Sequence, residues 1–405
     1  MLNTTRLSHW RSALAAGVTL SAAAVLVACG GGGGDPTPPT ASPPAGTAAV
    51  AYSQGAITGF GSVFVGGVRF DDSAAAVTDE DGNSRSSSDL KLGMMVEVES
   101  GNVDRVAATA LAARIRWGSE IVGPVGAVDT AASTVRVLGQ TVLVTTSTVF
   151  DTALAGGLSA LTAGAVVEVH GIPDPANSRI VATRIEPKTG VLAFKLRGAI
   201  AALDSTAKTF RINGELISYA GLTAANVPAS LANGHILRVV VQTTPVAGAW
   251  VATAVRGGLR LPEARQYAHV EGVITVFTSS SNFEVNGLRV DAANASFPNG
   301  TTGIVLGTRV EVEGAVTNGV LVATKVEIED RRTPEQRQLE LRGEMSGLNA
   351  TAKTFALRGV TVWYGGTVQY QDGTEATLAN GKRVEVKGVL SSDRTRLEAR
   401  RIEFK

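Results

Sequence analysis

The chain has one cysteine, Cys29, in 405 residues. No intramolecular disulfide can form, and no cysteine-rich zinc site. Aromatic residues make up only 5%, and there are four histidines, three of them beyond the N-terminal region: His170, His235 and His269. A surplus of one charge is also lacking, since 37 Lys and Arg stand against 36 Asp and Glu. Without a net positive field or a basic groove interleaved with aromatics, no nucleic-acid partner is expected. Long apolar runs are confined to one place, Ser12 to Val27. Apolar residues still make up 44%, which excludes a disordered chain, and 46 glycines suit many short strands joined by tight turns.

The single apolar run is preceded by Arg6 and Arg11 and closed by Leu26-Val27-Ala28-Cys29. A charged start, a short apolar core and small residues at its end describe a secretion signal rather than a membrane span. Those four residues resemble the lipobox of bacterial lipoproteins, in which the cysteine is lipidated and becomes the first residue. Two readings fit, an ordinary secretion signal that happens to contain a cysteine and a lipoprotein signal with Cys29 as the lipid attachment site. The lipoprotein reading is favoured because the sole cysteine sits where the motif needs it. Gly30, in place of Asp, implies by resemblance the outer membrane, with the folded part facing the periplasm or the cell surface. The signal would occupy residues 1–28. Residues 29–52, rich in glycine and then proline, read as a tether.

From Ser53 a glycine-to-valine phrase recurs, with its glycine at 93, 164, 234, 307 and 381, giving spacings of 71, 70, 73 and 74. Its copies include Gly93-Met94-Met95-Val96-Glu97-Val98 and Gly307-Thr308-Arg309-Val310-Glu311-Val312. A fixed period of this length marks a repeated unit. The modules expected are 53–117, 118–188, 189–258, 259–330 and 331–405. Each opens near a glycine and continues into a hairpin, most clearly around Asn286-Gly287, where both turn residues need positive φ. A two-residue turn there pairs Val285 with Leu288 and Phe283 with Val290. The same register pairs Val63 with Phe70 and Val65 with Val68 around Gly66-Gly67, and Phe355 with Val362 and Leu357 with Val360 around Arg358-Gly359.

A second hairpin follows each phrase. With Thr317-Asn318-Gly319 as a three-residue loop, Glu311 falls opposite Lys325, and by analogy Glu97, Glu168 and Glu385 oppose Arg114, Arg184 and Arg401. In the third module the members are Arg238 and Ala254. These pairs are expected to face outward as cross-strand ion pairs contributing a few tenths of a kcal/mol.

Five short strands with alternating faces per module remove their edges by curling into a closed barrel. The fold expected is all-β: five tandem small five-stranded barrels, similar to the oligonucleotide/oligosaccharide-binding (OB) fold, arranged as beads on a string. An open sandwich is the alternative. The connection Thr152 to Thr162 sits where that fold often carries a helix.

The run Ile57-Thr58-Gly59-Phe60-Gly61-Ser62-Val63-Phe64-Val65, with Gly67-Val68-Arg69-Phe70-Asp71, resembles the opening of a repeated domain of unknown function in proteobacterial lipoproteins. Val137-Leu138-Gly139-Gln140-Thr141-Val142 and Thr148-Val149-Phe150-Asp151 look like its second copy. The resemblance implies a secreted repeat protein and brings no activity or site.

No nucleophile elbow, phosphate loop, HExxH motif or dinucleotide fingerprint occurs. The three histidines lie in different modules and read as surface strand residues. Asp79-Glu80-Asp81-Gly82-Asn83 resembles part of a calcium loop but lacks the distal bidentate Glu, so an acidic turn is the reading. Arg331-Arg332-Thr333-Pro334-Glu335-Gln336-Arg337 reads as a solvated linker. Trp363, expected to face outward with Tyr364 and Tyr370 close behind, is the candidate contact for a ligand or partner, against packing on a neighbouring module. The reading is of a non-enzymatic, lipid-anchored envelope protein, with no cofactor or metal, acting as a structural or binding array. Alternatives are a glycan- or protein-binding surface module and, more remotely, an envelope hydrolase.

Overall fold

The computed structural model describes residues 50–258, 262–329 and 338–405. The expected signal 1–28, Cys29, most of the tether and the linker 331–337 lie outside these residues. The described residues form strands and short 3-10 turns. None of their helical turns is long and apolar enough to cross a membrane. The connection Thr152 to Thr162 carries two such turns, Thr152–Leu154 and Gly157–Ala160, in place of the expected helix.

The first module holds β1 (Ala51–Phe60), β2 (Val63–Val65), β3 (Val68–Asp71), β4 (Ala76–Asp79), β5 (Ser84–Arg85), β6 (Met95–Ser100) and β7 (Thr109–Trp117). The second holds β8 (Ile121–Asp129), β9 (Thr134–Val137), β10 (Gln140–Phe150), β11 (Val166–Asp174) and β12 (Arg179–Pro187). The third holds β13 (Phe194–Asp204), β14 (Thr209–Ile212), β15 (Glu215–Ser218), β16 (Ile236–Val241) and β17 (Trp250–Gly257). The fourth holds β18 (Arg265–Ser279), β19 (Asn282–Val285), β20 (Leu288–Asp291), β21 (Arg309–Thr317) and β22 (Val320–Ile328). The fifth holds β23 (Leu339–Glu344), β24 (Ser346–Asn349), β25 (Thr354–Leu357), β26 (Val360–Trp363), β27 (Gln369–Gln371), β28 (Arg383–Leu390) and β29 (Arg396–Phe404).

Strand pairing closes small five-stranded barrels. In the second module β8 pairs with β9, β9 with β10, β10 in parallel with β12, β12 with β11, and β11 back to β8. The fourth follows the same circuit through β18, β19, β20, β22 and β21. The first hairpins pair as their turns dictate: Val285 with Leu288, Val65 with Val68, Leu357 with Val360. Asn286 and Gly287 have φ of 51° and 81°, the left-handed pair that a two-residue turn demands. Each barrel is plugged by apolar side chains pointing inward, among them Phe70, Phe210, Phe283 and Phe355, all at most 1% exposed.

The second hairpin differs from expectation by two residues in every module. Glu168 lies opposite Glu186 and His170 opposite Arg184; Glu311 opposes Glu327, Glu385 opposes Glu403, Glu97 opposes Arg116, and Arg238 opposes Arg256. Two steps account for the shift. The turn after β21 leaves two residues unpaired, Asn318 and Gly319, with Thr317 opposite Val320, which moves the register by one. A bulge between Glu313 and Gly314 leaves Thr324 without a ladder partner and moves it by one more. Equivalent bulges fall at His170/Gly171 and Lys387/Gly388, leaving out Thr183 and Arg400. Glycine is needed there because a Cβ on Gly314 or Gly388 would overlap the carbonyl oxygen of Val322 or Glu398. The charged residues keep the expected face and change partners.

The barrels are not beads on a string. β1 pairs in parallel with β18, from Ala51 opposite Tyr267 to Gln54 opposite Val270, and then with β23, joining the first module to the fourth and fifth. β1 therefore begins at Ala51, inside the expected tether, and Tyr52 packs into the core of the fourth module. Modules two and three meet antiparallel through β8 and β13, with Ile121 opposite Leu196 and Val122 opposite Lys195. Their apolar residues form one continuous core. As a result the charged faces expected to be solvated are covered: Glu168, Arg184, Glu186, Arg238, Glu311 and Glu385 are all below 8% exposed. Closure leaves short stretches of strand at β1 and β8 that pair with neighbouring barrels, and the rest of the contact between neighbours is made through these outer faces.

Candidate functional site: a cleft bordered by four modules

Where β1, β10, β18, β21, β22, β23 and β28 approach one another, a cleft of 1330 Å³ opens. That volume is larger than the usual range for small-molecule sites, roughly 300–1,000 Å³. The second module contributes Thr146, Ser147 and Thr183. Thr183 is the residue left out by the bulge in β12, and a bulge re-aims a side chain. Its Oγ1 is buried and has no hydrogen-bond partner among the described residues.

The fourth module supplies a wall of matched charges. Glu271 accepts the Ala56 N–H at 2.9 Å and pairs with Arg309, whose Nη1 donates to Ser147 Oγ at 3.1 Å. Lys325 Nζ lies 3.1 Å from Glu313 and 3.0 Å from Glu327. Burial favours the neutral amine of Lys325, but these two carboxylates outweigh it and hold the amine above its usual range. Beside them the Tyr267 phenol is pushed up to about 12 by burial and the nearby Glu313 charge, and the Arg105 guanidinium sits 5.3 Å over its ring. The fifth module answers with Lys387, 3.0 Å from Glu340, and with Gln369, Thr367, Val389 and Leu390. The cleft is thus lined by hydroxyls, amides and ion pairs, with Tyr267 and Phe64 as ring surfaces.

The histidines are corrected in their placement. His170 and His269 are fully buried, and among the described histidines only His235 is exposed. The His170 Nδ1 lies 2.9 Å from the Gly118 carbonyl oxygen and its Nε2 3.9 Å from Glu168. Burial, only partly offset by Glu168, lowers its pKa to about 4, so the ring is neutral at pH 7. Among the described residues no group of three or more His, Cys, Asp or Glu could hold a metal ion.

The acidic turn has a structural partner. Asp79 accepts from the Asp81 and Asn83 amides at 3.0 and 2.9 Å, while Glu80 reaches into the third module to Lys195 and to Arg197 Nη2 at 2.7 Å. Asp81 Oδ1 meets Arg238 at 2.5 Å. Glu80 and Asp81 are thereby neutralised by bases 115 to 157 residues away, while Asp79 pairs locally with Arg85 at 2.6 Å.

Trp363, Tyr364 and Tyr370 do not form an exposed aromatic platform. Tyr364 is 3% exposed and lies 5.8 Å from Phe355 in the core; Tyr370 is half-buried, with its hydroxyl unpartnered among the described residues. Trp363 is half-buried, with the Arg396 guanidinium 5.1 Å over its ring and Gly365 packed against it. Its expected outward direction holds, since Val362 points into the core, but the parallel pairing with Glu398 of β29 brings Arg396 across it. The cleft was missed in the sequence because it joins residues from Ala56 to Arg401. Gly171 and Gly388, two positions after the valine of the phrase, were the readable sign of two residues that line it, Thr183 and Arg400.

Three segments of the chain, 122–186, 271–327 and 342–403, match the model of a family described as a domain of unknown function (DUF5666). They fall in the second, fourth and fifth modules. No curated protein matches the chain. Among solved structures the chain is similar to "drosophila Unr CSD456", at 16% identity over 43% of this chain and 79% of that one, with a TM-score of 0.15. A likeness that low carries no argument about fold or ligand.

Proposed function

We propose that the chain is a non-catalytic, lipid-anchored protein of the bacterial outer membrane, built from five copies of one small barrel domain, and that it binds a glycan of the cell envelope in the cleft between its modules. Support for the five copies is the recurrence of the strand circuit, including its parallel closing pair and its bulge, in modules one and three as well as in the three segments that match the family. Lipid anchoring through Cys29 rests on the sequence. The observation that carries the binding reading is the cleft itself. Its hydroxyl, amide and pre-paired charged lining suits a ligand rich in hydroxyls, and Phe64 offers a ring surface against which a sugar ring can pack.

Calorimetric titration of purified protein with soluble envelope glycan fragments tests this. Saturable binding that falls several-fold in Thr183→Val supports the cleft. Absence of binding to any fragment, or binding untouched by both Thr183→Val and Lys387→Met, refutes it. The anchor is tested separately, by Cys29→Ala: the variant should leave the membrane fraction, and retention there would overturn lipidation.

A further inference from the structure

A second, smaller pocket of 100 Å³ lies away from the cleft, where the first four modules meet. Trp117 and Arg116 enter from β7, Glu120 from the start of the second module, Arg197 from β13, and Glu97 from β6. Three polar groups here lack hydrogen-bond partners among the described residues: Trp117 Nε1, Arg197 Nε and Glu120 Oε2, all buried atoms. Leaving such groups empty costs about 1–3 kcal/mol each, so a site holding several is built for something that supplies their partners. Glu120 is 6% exposed, and its one basic neighbour within 4 Å among the described residues is Arg197 Nη1, at 3.4 Å.

The charge count indicates the sign of the occupant. Burial pushes the Glu120 carboxyl up, toward its neutral form, against the pull of Arg197. Around it, Glu80, Asp81, Glu97 and Glu120 face Arg116, Arg197, Arg238 and Lys195, four carboxylates against four bases, so the charges balance with Glu120 ionised and one positive charge is left over once Glu120 takes up a proton. Two orphaned N–H donors, one carboxyl that can donate or accept, and a charge balance that admits one anion together with one proton describe the complement of a compact monoanion.

We propose that this pocket binds a small monocarboxylate of formate or acetate size, its oxygens accepting from Trp117 Nε1 and Arg197 and sharing a proton with the Glu120 carboxyl. The site is independent of the cleft and of its glycan. Because residues of four modules line it, the bound anion would also tie the modules together.

The experiment is thermal unfolding and calorimetry of the full-length protein with formate, acetate, phosphate and chloride at constant ionic strength. Saturable stabilisation by formate and acetate is expected, with phosphate and chloride weaker. Trp117→Phe, which removes one donor and keeps an aromatic ring, should weaken acetate at least about tenfold. Glu120→Gln should stay within a few-fold of the parent, because the amide supplies an N–H and a carbonyl. The Trp117 indole N–H resonance should shift on adding acetate, a reading that needs no variant. No saturable acetate effect, tighter phosphate than acetate, an indole resonance that does not move, or a folded Trp117→Phe with unchanged affinity would each overturn the proposal.

Discussion

Glu80 should be the most sensitive single position at the contact between the first and third modules. Its carboxylate meets Lys195 Nζ, Arg197 Nη2 at 2.7 Å and Arg238 Nη1 at 3.3 Å, and the four side chains are between 8% and 21% exposed. Replacing it by glutamine keeps the volume and removes the charge. Arg238 then retains Asp81 and Arg197 retains Glu120, but Lys195 loses its carboxylate partner in a poorly hydrated place. Removing one member of a buried pair costs about 3–5 kcal/mol, and the remaining partners place Glu80→Gln near the lower end, about 3 kcal/mol. The assay is urea unfolding at pH 7 followed by tryptophan fluorescence, combined with Lys195→Met in a double-mutant cycle. The two changes together should cost less than the sum of each alone. A loss below about 1 kcal/mol, the size of a solvated surface pair, would refute the account of a buried lock. The pH dependence gives a second reading. Burial opposes ionisation of Glu80, yet Lys195 and Arg197 outweigh it and hold the folded-state pKa below the ordinary 4.5. Its contribution is therefore complete above 4.5 and is lost as the pH falls through the lower folded-state value, a loss that Glu80→Gln should not show.

Other outcomes follow from the same packing. His170 titrates at 6.5 when unfolded and at about 4 when folded, so the folded state binds fewer protons and stability falls as the pH drops from 6.5 to 4. His170→Asn should remove about 2–3 kcal/mol of that dependence, measured by urea midpoints at pH 7 and pH 4.5. A dependence unchanged in the variant would show the buried ring is not its source. Gly66 and Gly67 are adjacent, both with positive φ, but a Cβ on Gly66 would overlap the His269 ring whereas one on Gly67 meets open space. Gly67→Ala should cost about 1–2 kcal/mol from the left-handed backbone alone, and Gly66→Ala clearly more; equal losses would remove His269 as the reason. Phe283→Ala, at the centre of the fourth barrel, should cost about 3–5 kcal/mol in the same assay.

How much was readable differs between the two hairpins of a module. Asn286-Gly287 and Gly66-Gly67 specify their turns through positive φ, and alternation then fixes which side chains plug the barrel, so Val285–Leu288 and Val63–Phe70 could be paired from text. The second hairpin was displaced by two residues because a bulge adds a residue without changing the alternation that signals a strand. Gly171, Gly314 and Gly388 marked the bulges, but a glycine within a strand equally marks a tight bend or a close approach of another backbone.

Sequence alone determined the period, the all-β character, the inward faces and the acidic nature of the turn at Asp79. These are local: each follows from side-chain alternation or turn chemistry over a short stretch of neighbouring residues. Tertiary structure decided what the outward faces do. Glu80 finds Lys195, β1 finds β18 and β23, His170 disappears from solvent, and Trp363 is covered by Arg396. A charged residue on the outer face of a closed barrel has the same pattern in the text whether water or another barrel covers it. That choice depends on the match between whole surfaces, which no stretch of chain encodes, and both pockets arise from it.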